Sequence, residues 1–149
     1  MQERFKHFTL LTSKINRCIR KIKAEEMSEF ELKSTHVSCI YYLYAMQSLT
    51  AKELCEICEE DKAAVSRSLE YLEKNDFICL SDSDARKYKR SIVLTEKGYK
   101  VGNRISERID SILDMASEGI STEERDTMYR TLYAISENLQ KICDKYDNN

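Results

Sequence analysis

The chain has 149 residues, a length that suits one domain per subunit. Apolar residues make up 42%, enough for a globular core, and the 34% charged residues point to long solvated helix faces rather than to a disordered chain. A net charge of −2 excludes a bulk polycation, so any binding of nucleic acid must rest on local charge.

With no Pro and only three Gly, nothing forces a helix to break, and long helices are expected. No apolar run reaches the length of a membrane span, and MQERFKHF lacks a signal-peptide core. The chain is therefore expected in the cytoplasm, away from any membrane. There its six cysteines are expected as thiols.

The first helix is expected from Gln2 to about Met27. Phe5, Phe8, Leu11, Ile15, Cys18 or Ile19, and Ile22 recur at helical spacing, with basic residues between them. A second helix, from Thr35 or His36 to Gln47, contains HVSCIYYLYAM. It is apolar almost all round, so it should be buried on several sides. Thr50-Ala-Lys-Glu53 fits a capping box and opens a short helix, Ala51–Cys58. Asp61 is a good N-cap for the next helix, which should run to Asn75.

Phe77–Leu80 and Ser91–Leu94 read as two short strands. The segment between them starts with turn residues and ends with cations. Thr95 caps a long helix to about Glu118 with a stripe of Val101, Ile105, Ile109, Ile112, Leu113 and Ala116. Gly119 is its stop. Ser121-Thr-Glu-Glu124 is another capping box. The last helix carries the seam Met128, Leu132, Ile135, Leu139, Ile142 and Tyr146. The fold class is thus mainly α with a small β-hairpin. It is a winged helix-turn-helix over 34–95, flanked by long N- and C-terminal helices over 1–27 and 96–146. The flanking stripes are too long for the small centre to cover, and a second copy of the chain is the simplest cover, so these are taken as dimerisation helices.

The helix from Asp61 should turn Val65, Leu69 and Leu72 inward and Lys62, Ala63, Ser66, Arg67 and Glu70 outward. Small residues let a helix approach base edges, Ser donates or accepts, and Arg can grip guanine with two hydrogen bonds. In the hairpin segment Ala85–Arg90, Arg86, Lys87, Lys89 and Arg90 place four cations in six residues without an acid, which fits phosphate contact or minor-groove insertion. Asp84 lies two residues before Arg86, close enough to orient it.

These stretches resemble the MarR family of bacterial transcriptional regulators. The residues that carry the resemblance are Glu53-Leu54, Asp61-Lys62, Val65-Ser66-Arg67, Leu72-Glu73-Lys74 and Phe77-Ile78. They continue with Asp84-x-Arg86 and Leu94-Thr95-Glu96-Lys97-Gly98. The resemblance implies a single MarR-like domain over 1–149 and a homodimer held by the first and last two helices. It also implies a recognition helix starting at Asp61 and a wing around Arg86. Such a dimer would bind double-stranded DNA at a pseudo-palindromic operator, usually as a repressor that releases DNA when a small phenolic ligand or an oxidant acts. The sequence departs from the family pattern at Glu59-Glu60, where small or apolar residues are common, and at Ala63-Ala64, where polar residues are frequent.

His36, Tyr41, Tyr42 and Tyr44 cluster on the second helix. They are either core residues with bonded polar tips or, at His36, Tyr41 and Tyr44, the wall of a pocket for a small aromatic ligand. Cys55 and Cys58 form a CxxC inside a helix, which favours packing over redox chemistry. Cys18, Cys39, Cys79 and Cys143 stand in apolar contexts and are expected in cores. No metal site, cofactor or catalytic set is expected. A thiol redox sensor on the same scaffold, or a winged-helix module that binds protein rather than DNA, remain the alternatives.

Overall fold

A computed structural model describes residues 2–58, 60–81 and 90–147. The helices are α1 (Gln2–Glu26), α2 (Ser34–Met46), α3 (Ala51–Cys58), α4 (Lys62–Lys74), α5 (Glu96–Ala116) and α6 (Thr122–Asp147). A 3-10 turn, Ser28–Phe30, joins α1 to α2. Strands β1 (Ile78–Leu80) and β2 (Ile92–Leu94) form an antiparallel pair in which Ile78 faces Leu94 and Leu80 faces Ile92. The fold class is as the sequence predicts. Element boundaries move by one or two residues. The helix expected to reach Glu118 stops at Ala116, where the last turn tightens: the amides of Ser117 and Glu118 donate to the carbonyls three residues back, Asp114 and Met115, at 3.1 and 3.2 Å. The chain then turns through Gly119 at φ 78°, a left-handed conformation that costs glycine little.

The described chain falls into two compact units, one up to Ile109 and one from Asp110 onward. In the first unit α2 is the central element and packs against α1, α3, α4 and β2. Its nearly continuous apolar surface is the cause: His36, Val37, Ser38, Cys39, Ile40 and Leu43 are all buried. Leu54, Val65, Leu72, Ile78, Ile92 and Ile105 complete this core. Leu49 adds a one-residue bridge to Ile92, with both backbone hydrogen bonds made (2.8 and 3.2 Å). Nothing in the sequence marks this third edge, since one residue carries no periodicity.

Both expected capping boxes form. The Glu53 amide donates to Thr50 Oγ1 at 3.2 Å while the Thr50 amide donates to Glu53 Oε2 at 2.7 Å, and Ser121 with Glu124 repeats the pattern. The flanking helices carry their apolar residues uncovered. In the first unit Phe8, Leu11, Ile15 and Ile19 of α1 are exposed. In the second unit so are Leu113, Met128, Leu132, Leu139, Ile142 and Tyr146. The same exposure overturns the expected burial of three cysteines. Cys18 and Cys143 lie on these uncovered helices, and Cys79 points outward because its neighbour in β1, Ile78, points inward. Cys39 alone of the four is buried.

Candidate nucleic-acid interface

Local chemistry sets the position of α4. Asp61 adopts an extended backbone, and its Oδ1 accepts the Ala64 amide at 2.8 Å, which starts the helix there. Val65 and Leu72 are fully buried and Leu69 partly so, which rotates Lys62, Ala63, Ser66, Arg67 and Glu70 to the outside as expected. The four candidates on this helix therefore share one exposed face whose first turns hold two cations and no acid.

The helix is clamped to the hairpin and to α5 at its far end. The Phe77 amide donates to the Leu72 carbonyl at 2.9 Å, and the Thr95 amide donates to the Phe77 carbonyl at 3.0 Å. Thr95 Oγ1 caps α5 by accepting the Gly98 amide at 3.0 Å, and it donates to the Asp76 carbonyl at 2.5 Å. Lys97 Nζ donates to the Asn75 carbonyl at 2.8 Å and lies 4.2 Å from the centre of the Phe77 ring. Gly98 allows this closeness, because a Cβ there would stand 1.9 Å from the Phe77 oxygen. The Thr95-Glu96-Lys97-Gly98 run is thus a joint between hairpin and helix.

The hairpin continues beyond β1 through a bond from the Ser81 amide to the Ser91 carbonyl at 2.8 Å. Arg90 is exposed at the start of the returning strand. Asp84, Arg86, Lys87 and Lys89 lie outside the described residues.

The two flanks of α4 face different cavities. On the α3 side, Ala51, Lys52, Cys55, Lys62, Val65, Ser66 and Leu69 line an almost wholly apolar hollow of about 470 Å³. On the α2 side, Lys33, Thr35, His36, Ala64, Arg67, Ser68 and Tyr71 line a smaller one of about 340 Å³. A third, of about 530 Å³, lies between α1, α2 and α3 and includes Arg20, Lys23, Ser38, Tyr42, Cys58 and Glu60.

The aromatic candidates of α2 are dispersed. His36 is buried and stacks flat on Tyr71 of α4, with ring centres 4.3 Å apart. Burial first, and the charge of Lys33 second, hold its imidazole below its ordinary value of 6.5. Tyr44 points the other way and donates to Asn103 Oδ1 on α5 at 2.8 Å, packed against Gly102 and Tyr99. Tyr41 meets Tyr42 edge-on at 5.3 Å. None of the three hollows brings His36, Tyr41 and Tyr44 together. Lys33, Thr35, Ser68 and Tyr71, which do share one with His36, escaped the sequence reading. An inward/outward division of α4 has no place for residues on its flank.

The cysteines pair across elements rather than within the CxxC. Cys58 of α3 hydrogen-bonds the buried Cys39 thiol of α2. That bond, with help from the Lys23 ammonium and against the cost of burial, holds the Cys58 thiol below its usual range. The same bond and then burial push Cys39 well above it. Cys55 is half-buried against the core. Among the described residues no cluster of His, Cys, Asp or Glu could hold a metal ion, and no helix is long and apolar enough to cross a membrane.

Comparison with known proteins points one way. Residues 30–87 match the model of the MarR family. The HTH-type transcriptional regulator YybA of Bacillus subtilis (strain 168) is 22% identical over 127 residues, covering 85% of each chain. Among solved structures, a MarR family transcriptional regulator of Listeria monocytogenes complexed with a 26-mer DNA superposes with a TM-score of 0.78. It is 23% identical, over 86% of this chain and 85% of that one. MepR of Staphylococcus aureus in its DNA-binding conformation gives 0.80 at 21% identity, over 89% and 98%. These likenesses establish the winged-helix fold.

Proposed function

We propose that this chain, whose residues 30–87 match the model of the MarR family, is a transcriptional regulator of that kind, not an enzyme, and that it binds double-stranded DNA as a homodimer and represses transcription from a pseudo-palindromic operator. The observation that carries this reading is the exposed face of α4. Lys62, Ala63, Ser66 and Arg67 stand together on it, on a helix bonded directly to the base of a basic hairpin. Arg67 and Ser66 read base edges in the major groove, and Lys62 and Ala63 set the depth of approach. Arg86, Lys87, Lys89 and Arg90 form the wing, with Asp84 orienting Arg86. The Listeria relative complexed with a 26-mer DNA and the DNA-binding conformation of MepR support DNA as the partner.

The dimer has separate support, and the ligand follows from the family resemblance alone. The uncovered apolar residues of α1, α5 and α6 fit a second copy of the chain, which would make 1–27 and 96–146 dimerisation helices around the core at 34–95. Release of DNA would follow binding of a small aromatic ligand near α2, at His36, Tyr41 or Tyr44, in a cell's cytoplasm. A titration of labelled DNA from upstream of the chain's own gene, against random DNA of equal length, tests the reading. Two chains per site and preference for the upstream fragment support it, and equal affinity for both overturns it.

A second reading, thiol sensing, gains from one observation. Cys58 is held below its usual range and lines the cavity that reaches α1. Loss of DNA binding on mild peroxide treatment, reversed by dithiothreitol and absent in Cys58→Ala, would establish it. Unchanged affinity would discard it.

A further inference from the structure

The hollow between α2 and α4 is set apart from the other two by two buried polar side chains in its wall, His36 and Ser68, whose donors have no partner among the described residues. Its wall carries two cations, Lys33 and Arg67, together with Thr35, Ser68 and the stacked pair His36–Tyr71, and no carboxylate lines it. Neither cation has an ion pair among the described residues. Charged side chains in this chain are otherwise as often acidic as basic, so an acid-free hollow with two free cations is not an average piece of surface.

The hydrogen-bond inventory of the wall sharpens the point. The Lys33 amide donates to His36 Nδ1 at 3.2 Å, so in the neutral ring the proton sits on Nε2. Burial and the stack on Tyr71 then fix the ring in place, with His36 only 5% exposed. Its Nε2–H has no partner among the described residues, and neither does the hydroxyl of Ser68, also 5% exposed. No sealed side-chain nitrogen or oxygen among the described residues lacks a partner. Both groups must therefore open to solvent, and the hollow is the space they share. A buried donor left without an acceptor is costly, so such groups normally meet a ligand or water.

The position of the hollow selects the ligand. It lies along Ala64, Arg67, Ser68 and Tyr71, one flank of the helix whose outer face carries Ser66 and Arg67. A helix seated in a major groove about 12 Å wide has a phosphate strand alongside each flank. The opposite flank, on the α3 side, also carries two lysines, but Lys52 is paired with Glu56 at 3.8 Å, Ser66 is exposed, and the rest of that wall is apolar.

We propose that this hollow seats one phosphate of the DNA backbone, held by Lys33, the Nε2–H of His36 and the hydroxyls of Thr35 and Ser68, with Arg67 at its edge. The proposal rests on the DNA-binding reading above and adds a contact from α2, an element outside the helix-turn-helix and the wing. It is a positioning contact: it fixes how far α4 slides along the groove and does not read a base.

The test uses the full-length protein and DNA from upstream of its own gene. Lys33→Ala should weaken binding to this DNA and to random DNA alike, by roughly five- to tenfold, and should reduce the slope of log K against log salt by about 0.9. His36→Phe keeps the stack but loses the donor, so it should weaken both by roughly threefold while the thermal midpoint stays within about 3 °C of wild type. His36→Gln, which can still donate, should recover part of the loss. A scan of single methylphosphonate substitutions along the DNA then identifies the phosphate: one position should weaken wild type but leave Lys33→Ala unaffected. If wild type binds DNA and the Lys33→Ala slope is unchanged, or every methylphosphonate costs both proteins alike, the proposal falls and the DNA-binding reading stands. That holds even if inorganic phosphate shifts the His36 imidazole resonance, since the hollow would then take free anions only. If wild type binds no DNA, the reading and the proposal fall together.

Discussion

Gly98→Ala is the most instructive single change, because two opposed effects can be sized. Gly98 lies in the first turn of α5, where Ala would normally gain about 1 kcal/mol of helix propensity. The added methyl would stand 1.9 Å from the Phe77 oxygen and 2.9 Å from its carbonyl carbon, whereas carbon and oxygen rarely approach closer than about 3.3 Å. The hairpin base must therefore move by roughly 1.4 Å relative to α5. Such a shift strains the packing by about 1–3 kcal/mol. It also breaks the bonds from Thr95 to the carbonyls of Phe77 and Asp76, each worth about 1 kcal/mol. The net expectation is a loss of about 2–4 kcal/mol, a large share of a total near 5–15 kcal/mol. Urea unfolding followed by circular dichroism measures it. Gly119→Ala is the control, since at φ 78° it meets no neighbouring atom and should cost only about 1–2 kcal/mol. If Gly98→Ala unfolded at the same or higher urea than wild type, propensity would have won, and the joint between hairpin and α5 would not be the tight one described.

Leu139→Asp places a carboxylate on the uncovered seam of α6 and should turn a dimer into a monomer with little change in helix content, as light scattering and circular dichroism would record. A wild type that is already monomeric at micromolar concentration would refute the dimer. The pH dependence of stability should carry the signature of His36. Its folded value lies below 6.5, so the unfolded chain binds the proton first, and the stability due to a neutral His36 is present above that pH and lost as the pH falls through it. Between about pH 7.5 and about pH 5.5 wild type should lose more stability than His36→Phe, and parallel losses would contradict the assignment. Ser121→Ala should cost about 1 kcal/mol through loss of the cap on the last helix, and an unchanged midpoint in urea would contradict that.

Helices and their starts were legible in the sequence because their signals are local. Thr50, Asp61, Thr95 and Ser121 are each followed by a partner within three residues, and the stripes of α4 and α5 repeat at helical spacing. The exposed face of α4 followed from the same spacing. The missing parts depend on pairs distant in the chain. The Leu49–Ile92 bridge, the thiol contact of Cys39 with Cys58 and the hollow that joins Lys33 to Arg67 have no local pattern. In the sequence the Leu94–Gly98 run carries only a family resemblance, and its physical reason is the close approach of the Phe77 carbonyl to Gly98. The aromatic cluster of α2 misled in one respect, since residues of one short segment leave a buried helix in different directions. His36 turns to α4 and Tyr44 to α5.

The specificity ratio of Arg67→Ala tests the central claim most directly, namely that the exposed face of α4 reads DNA. Fluorescence anisotropy at fixed salt would give affinities of wild type and variant for the upstream fragment and for random DNA. Arg67→Ala should cost about 1–3 kcal/mol on the upstream fragment and clearly less on random DNA, so the ratio between them shrinks. An Arg67→Ala protein that kept the wild-type ratio, or a wild type that showed none, would contradict the claim.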